Sequence, residues 1–199
     1  MIDLANTISD VRAKILGVAE QRFRHYGYNK TTMAELAGDL GMSPANLYRY
    51  FNSKEEIGAA CVLRCFSDAE TILRAVVATQ NISAQQKLYK FVLAKFEHIY
   101  REATENPRIH ELTQLILQDR TDLLYSQKQL VQSLVAEILA EGNSKGEFAV
   151  QDLVTTAETI TSATVLFAVP IFIHLFPKEK FEIMLKNVVD LILTGILKR

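Results

Sequence analysis

The chain has 199 residues, 49% of them apolar, which supplies a packed core and excludes a disordered chain. Its 22 Lys/Arg against 23 Asp/Glu leave a net charge of −1, so the chain as a whole is not a basic nucleic-acid coat. Split after Lys54, it separates into seven Lys/Arg against five Asp/Glu (+2) and fifteen against eighteen (−3), an asymmetry that suits a nucleic-acid-binding end joined to a different kind of domain.

Glycine and proline are few and fall between periodic apolar stretches, which predicts an all-helical fold. Ile8, Val11, Ile15, Val18/Ala19 and Phe23 mark one face of a first helix over Ile8 to Tyr26, ended by Gly27. Thr32-Met33-Ala34-Glu35 is a capping box that opens a short helix running to Leu40 and stopped by Gly41. Ser43 is the N-cap of a third, very short helix, with Pro44 at its first position and Met42 stapled onto Leu47; it reaches Tyr50 or Phe51. A second capping box, Ser53-Lys54-Glu55-Glu56, starts a long helix through about Thr79. Further helices are expected from Ser83 to about Asn106-Pro107, a short one after Asn106, Thr121 to Glu141 ended by Gly142, Val150 to Phe176, and Lys178 to Lys198. The total is about nine helices, with no strand.

Two short helices around a tight glycine turn are the form of a helix-turn-helix. Leu36, Ala37 and Leu40 on the second helix and Leu47 and Phe51 on the third can pack against the first, which leaves the outer face of the third free. That face carries Ser43, Pro44, Ala45, Asn46 and Arg49. Asparagine pairs with adenine and arginine with guanine in the major groove. Tyr48 and Tyr50 offer hydroxyls to phosphates, Lys54 a cationic contact, and Thr31 and Thr32 hydroxyls and backbone N–H groups. Tyr48-Arg49-Tyr50-Phe51 alone would serve equally as a packed aromatic turn. The order of capped helix, glycine turn, Ser-Pro helix, aromatic-basic end and Ser-Lys-Glu-Glu cap is what favours a DNA reader.

Three segments, Thr31-Thr32-Met33-Ala34-Glu35-Leu36-Ala37, Gly41 through Phe51, and Ser53-Lys54-Glu55-Glu56-Ile57, together with Ala19, Phe23, Gly27 and Tyr28, resemble the TetR/AcrR family pattern. The resemblance covers about residues 10–57. It implies a bacterial, cytoplasmic homodimer whose recognition helices enter successive major grooves of a pseudo-palindromic double-stranded operator. It also implies phosphate contacts from Tyr48, Tyr50, Lys54 and the Thr31/Thr32 pair. The chain departs from the pattern at Pro44-Ala45, where many members carry Lys-Gly or similar; a phosphate-binding lysine is missing there, and an apolar contact to a thymine methyl takes its place.

Expected organisation is therefore a helix-turn-helix DNA-binding domain over 1–52 and a helical ligand-binding and dimerisation domain over 53–199. The last two helices, about 150–198, are apolar on more than one face and suit an isologous four-helix interface, although the same residues would serve as a monomer's own core. Ile160 to Phe176 has no charged residue but is shorter than the roughly 20 residues a membrane span needs. The family resemblance implies an effector cavity for an amphipathic or aromatic small molecule. Its inward-facing candidates are Phe66, Phe96, His98, Tyr100, His110, Tyr125, Phe167 and His174, with Pro170 positioned to kink its helix. The long helix from Ser53 belongs to both parts, so a tilt in it would alter the spacing of the recognition helices.

Other classes have less support. His98 and Glu102 lie one turn apart but no third metal ligand accompanies them, and GxSxG, P-loop and GxGxxG motifs are absent, so neither catalytic residues, metal nor cofactor are expected. Cys61 and Cys65 read as small buried hydrophobes, with a redox switch as the alternative. The N-terminus has no basic region followed by an apolar run, so no signal peptide is expected.

Overall fold

A computed structural model describes residues 4–169, 172 and 175–197. The described elements are α1 (Leu4–Tyr26), α2 (Met33–Asp39), α3 (Pro44–Leu47), α4 (Lys54–Val77), α5 (Ala84–Glu105), α6 (Pro107–Asp119), α7 (Thr121–Ser144), α8 (Leu153–Ala163), a 3₁₀ turn (Val165–Phe167) and α9 (Lys178–Ile196). The all-α expectation holds. Among the described residues the nearest thing to a strand is one antiparallel bridge between Phe148 and Leu197.

The chain divides into two compact units, Met1–Phe66 with Thr104–Leu123, and Ser67–Ala103 with Leu124–Arg199. In the first unit Ile15, Ala19 and Phe23 of α1 meet Leu36 and Ala37 of α2, Leu47 of α3, and Ile57 of α4, all buried. Helix α6 joins this core through Ile109, Leu112 and Ile116. It approaches α4 so closely at Gly58 that an added Cβ would lie 2.9 Å from Ile116 Cδ1 and 3.3 Å from Leu112 Cδ1. A larger residue there would have to push aside the ends of these two side chains.

In the second unit Leu73, Leu88, Phe91, Val131, Leu134, Ile138, Phe148 and Ile160 form one apolar cluster. Phe96, Phe167, Phe181, Leu185 and Val189 form another, in which Phe96 and Phe181 lie 5.6 Å apart by ring centroid and Phe167 meets both edge-on. Phe181, Leu185 and Val189 are spaced at i, i+4 and i+8. Part of the apolar surface of the last helix is thus the core of its own unit.

Three expected helix ends move. Gly142 does not stop α7, which continues to Ser144 and turns at Gly146 (φ +70°). Gly142 is a glycine because the Phe148 ring lies over it: a Cβ would stand 2.1 Å from Phe148 Cδ2. Among the described residues the expected helix from Val150 to Phe176 is α8 and the 3₁₀ turn, with residues 172 and 175 again in 3₁₀ conformation. Its start is delayed because the Asn143 side chain holds both backbone groups of Val150, donating to its carbonyl at 2.7 Å and accepting from its N–H at 3.0 Å, and Asp152 then caps α8. Its end comes early at Thr164-Val165, a β-branched pair where the Thr161 and Thr164 hydroxyls donate back to carbonyls of Ala157 and Ile160. Pro170 lies outside the described residues, and so does the kink expected there.

Candidate nucleic-acid interface

The reading head is built from local signals. Thr32 caps α2 through a complete box: its hydroxyl oxygen accepts from the Glu35 N–H, and the Glu35 carboxylate accepts from the Thr32 N–H at 2.9 Å. Helix α2 ends in a Schellman pattern, with Gly41 at φ +65°, its N–H donating to the Gly38 carbonyl and the Met42 N–H to the Ala37 carbonyl. Ser43 follows at once as N-cap of α3, accepting from the Asn46 N–H at 3.2 Å. Helix α3 is one turn long, shorter than expected, and continues as a run of turns through Tyr50. One turn has no stability of its own, so buried Leu47 and Phe51 hold it.

This anchoring decides what faces outward. Ser43, Pro44, Ala45, Tyr48 and Arg49 are exposed, and Asn46 and Tyr50 are half-buried. The Asn46 amide lies 3.9 Å from Met42 Sδ, and the Arg49 guanidinium makes no hydrogen bond or ion pair among the described residues.

Three other candidates are committed inside the fold to different degrees. Thr31 is 1% exposed, its hydroxyl donates to the Gly27 carbonyl at 2.9 Å and its N–H to the Tyr28 carbonyl, so the expectation of a surface hydroxyl is corrected for this residue. Thr32 is exposed, but the Glu35 carboxylate takes both its N–H and its hydroxyl proton. Lys54 donates to the Tyr28 carbonyl at 3.1 Å and stands 4.2 Å above the Tyr28 ring, which fixes its ammonium at the start of α4. Burial, and then the nearby Glu55 carboxylate, push the Tyr28 phenol up to about 12, so the ring under Lys54 stays uncharged.

Two arginines of α1 hold this arrangement, and sequence reasoning did not single them out. Arg12 donates to the Tyr50 carbonyl, pairs with Glu56 at 3.5 Å and lies 4.0 Å above the Phe51 ring. Glu56 makes one leg of the expected second capping box, its N–H donating to Ser53 Oγ. Its carboxylate accepts from the Asn52 N–H instead of that of Ser53. Arg22 bridges Glu35 at 2.8 Å and Asp39 at 2.6 Å, tying both ends of α2 to α1. Hydrogen bonds from Thr32, and then the Arg22 charge, hold the Glu35 carboxyl below its usual range. Neither arginine belongs to an apolar stripe or a cap motif, so the only available signal was a basic residue one side of a helix away from the core positions.

The effector candidates separate. Phe96, Tyr100 and Phe167 come together in the second unit, with Phe96 and Tyr100 5.7 Å apart by centroid. His98 is half-buried in the same unit, and its Nδ1 accepts from Arg101 at 3.2 Å. Burial, opposed by Glu102, lowers its pKa, which keeps the imidazole neutral. Phe66 packs onto the core of the first unit, and His110 is half-buried on α6 of that unit. Tyr125 is 65% exposed because it lies off the buried stripe Val131-Leu134-Val135-Ile138 of α7, so its inward placement is corrected. His174 lies outside the described residues. The second unit has a cavity with room for about one water, about 10 Å³, between α5, α7, α8 and the 3₁₀ turn, lined in part by Phe91, Lys95 and Phe167.

Among the described residues no group of three or more His, Cys, Asp or Glu is placed to hold a metal, and no helix is long and apolar enough to cross a membrane. Cys61 is buried and its thiol is pushed up, first by burial, which suppresses the thiolate that redox chemistry needs.

Residues 84–189, over half the chain, match the model of the tetracyclin repressor-like C-terminal domain, and residues 15–61 match that of the bacterial regulatory proteins, tetR family. The chain belongs to the TetR family. It is a TetR-family transcriptional regulator with a helix-turn-helix for DNA binding. Over 94% of its length and 98% of the other chain it is 26% identical, with a TM-score of 0.69, to a transcriptional regulator from Cytophaga hutchinsonii. It is also 26% identical over 103 residues to the HTH-type transcriptional regulator TtgR of Pseudomonas putida. That match takes in 52% of this chain and 49% of TtgR, so the chain spans about half the length of this curated relative. The TetR-family fold is further matched by SmeT, the repressor of the Stenotrophomonas maltophilia multidrug efflux pump SmeDEF, at 19% identity and a TM-score of 0.65 over 94% of this chain and 90% of SmeT.

Proposed function

We propose that this TetR-family chain is a repressor that binds a pseudo-palindromic operator as a homodimer and is released by a small-molecule effector. The observation that carries the reading is the surface of α3 and the turns after it, where Arg49 is exposed and Asn46 half-exposed beside a buried Leu47 and Phe51. These two side chains read base edges, Pro44 and Ala45 meet a thymine methyl, and Ser43, Tyr48, Tyr50, Thr32 and Lys54 position the backbone of the duplex. Thr31 contributes by shaping the start of α2.

Dimerisation is supported by apolar surface on the last two helices. Val154 on α8 is 75% exposed, and Ile183 and Leu191, two turns apart on one face of α9, are 63% and 74% exposed. A two-fold dimer also supplies two reading heads for two half-sites, which lie roughly 34 Å apart in successive major grooves. Effector release is supported by the small cavity of the second unit and by the relatives: SmeT is solved in complex with triclosan. Helix α4 carries Lys54 in its first turn and continues into the second unit, so the two activities share one helix.

The test is titration of the purified chain against DNA from upstream of its own and adjacent genes at several salt concentrations. Asn46→Ala and Arg49→Ala are expected to relax base preference, and Lys54→Ala to weaken binding evenly across sequences and flatten the salt dependence. Binding to every duplex with equal affinity, unchanged by the Asn46 and Arg49 substitutions, would overturn the assignment of the reading face.

A further inference from the structure

Helix α5 carries two lysines on one face, Lys87 and Lys95, two turns apart with Phe91 between them. Lys87 is 2% exposed and fully partnered: its ammonium donates to the Val77 carbonyl at 2.7 Å and to the Glu141 carboxylate at 2.6 Å. Lys95 has no hydrogen bond and no ion pair among the described residues. It lines the cavity of the second unit with Phe91, Val135, Ile160 and Phe167, and none of the described lining residues is acidic. The polar groups beside it are the hydroxyls of Thr161 and Thr164, which donate to carbonyls of their own helix.

We propose that Lys95 is the anion anchor of the effector site, and that the effector is a monocarboxylate with an apolar body. The inference rests on reading the second unit as the effector-binding domain. Removal from water without a counter-charge is unfavourable for an ammonium, and burial alone lowers Lys95 to about 8. An incoming carboxylate supplies the missing charge, and its tail takes the place of nothing polar along Phe91, Val135, Ile160 and Phe167. The two threonine hydroxyls can rotate from their helix carbonyls to donate to the second carboxylate oxygen. A doubly charged phosphate fits worse, because one ammonium would leave a buried negative charge uncompensated. Binding requires the cavity to widen, and its least costly wall is the 3₁₀ turn Val165–Phe167, held by i to i+3 bonds such as Ala168 N–H to the Val165 carbonyl at 2.9 Å.

Calorimetric titration of the full chain with octanoate, octan-1-ol, 4-phenylbutanoate and 4-phenylbutan-1-ol tests this, using wild type, Lys95→Met and Lys95→Arg. In wild type at least one acid is expected to bind tenfold or more tighter than its alcohol, and which acid does so separates an aliphatic from an aromatic effector. Lys95→Arg should keep the preference for acid. Lys95→Met should reduce it below threefold while binding the alcohol at least as well, which shows that the cavity survives. Equal binding of acid and alcohol by wild type, or an acid preference that survives Lys95→Met, overturns the anchor and leaves the effector site standing. No binding of any of the four by wild type or Lys95→Met overturns both.

Discussion

An ammonium held without a partner should lower stability, and Lys95→Met measures by how much. The shift from 10.5 to about 8 corresponds to about 3 kcal/mol at pH 7, at about 1.4 kcal/mol per pH unit. The side chain is half-buried, and solvent screening of its exposed part roughly halves this, to about 1.5 kcal/mol. The sign follows from linkage. Between pH 8 and 10.5 the unfolded chain holds the lysine proton and the folded chain releases it, so wild-type stability gains with rising pH in that window. Below pH 8 both states are charged and the whole penalty applies. Lys95→Met should therefore be more stable than wild type at pH 7 by about 1.5 kcal/mol, a melting temperature roughly 5 °C higher. By pH 9.5 that advantage should shrink to about half. Urea unfolding of both proteins at the two pH values is the assay. Taking the difference between variant and wild type cancels the other groups that titrate in the window, and comparing that difference at the two pH values cancels the pH-independent gain from burying methionine. An advantage equal at pH 7 and 9.5 refutes the argument that the charge is what is unfavourable, and a variant less stable than wild type at pH 7 shows that Lys95 has a partner.

Gly142→Ala should destabilise the chain by about 3 kcal/mol in urea unfolding, because the new Cβ would meet the Phe148 ring at 2.1 Å in a buried site. Arg12→Met should weaken operator binding in fluorescence anisotropy while leaving base preference intact, since Arg12 holds the Tyr50 carbonyl, Glu56 and the Phe51 ring without facing outward from α3. Leu191→Asp should shift the proposed dimer toward monomer in sedimentation velocity, and a dimer of unchanged stability would move the interface away from α9. Cys61 should resist alkylation by iodoacetamide in the native protein and react on unfolding, as its burial and raised pKa require.

The fold was most legible where short-range chemistry sets it. Thr32 with Glu35, the Gly41 turn and the Ser43-Pro44 start are interactions between residues at most five apart, and all three stand where their spacing placed them. Errors arise where the deciding contact belongs to no cap or turn motif, even when its partners are only a few residues apart. Gly142 resembles a helix stop in sequence, but Phe148, folded back from beyond the turn, is what requires a glycine there. Thr31 resembles a surface hydroxyl because Thr32 beside it is one; the Gly27 carbonyl at the end of α1 decides otherwise. The apolar density after Val150 predicts one long helix, yet Asn143 and the β-branched pair Thr164-Val165 cut it at both ends.

The same division runs through the functional residues. Side chains that would read bases are legible because they lie on one short helix and the turns directly after it, Ser43 to Arg49, held by buried Leu47 and Phe51. The residues that make this surface rigid, Arg12 and Arg22, act across 13 to 44 positions of sequence and carry no motif. Among the effector candidates, aromatic character selected Phe96, Tyr100 and Phe167 together with Tyr125, because aromaticity marks burial in general and no particular cavity. Lys95 was passed over for the opposite reason: a lysine between apolar residues in an amphipathic helix is ordinarily a surface residue. Only its comparison with Lys87, alike in helix and face but supplied with a carbonyl and a carboxylate, shows that Lys95 lacks the partners that the same unit provides eight residues earlier. A charge that the fold compensates where it is buried, at Lys87, and leaves uncompensated where it is half-buried beside a cavity, at Lys95, is a physical reason to look for the missing anion outside the chain.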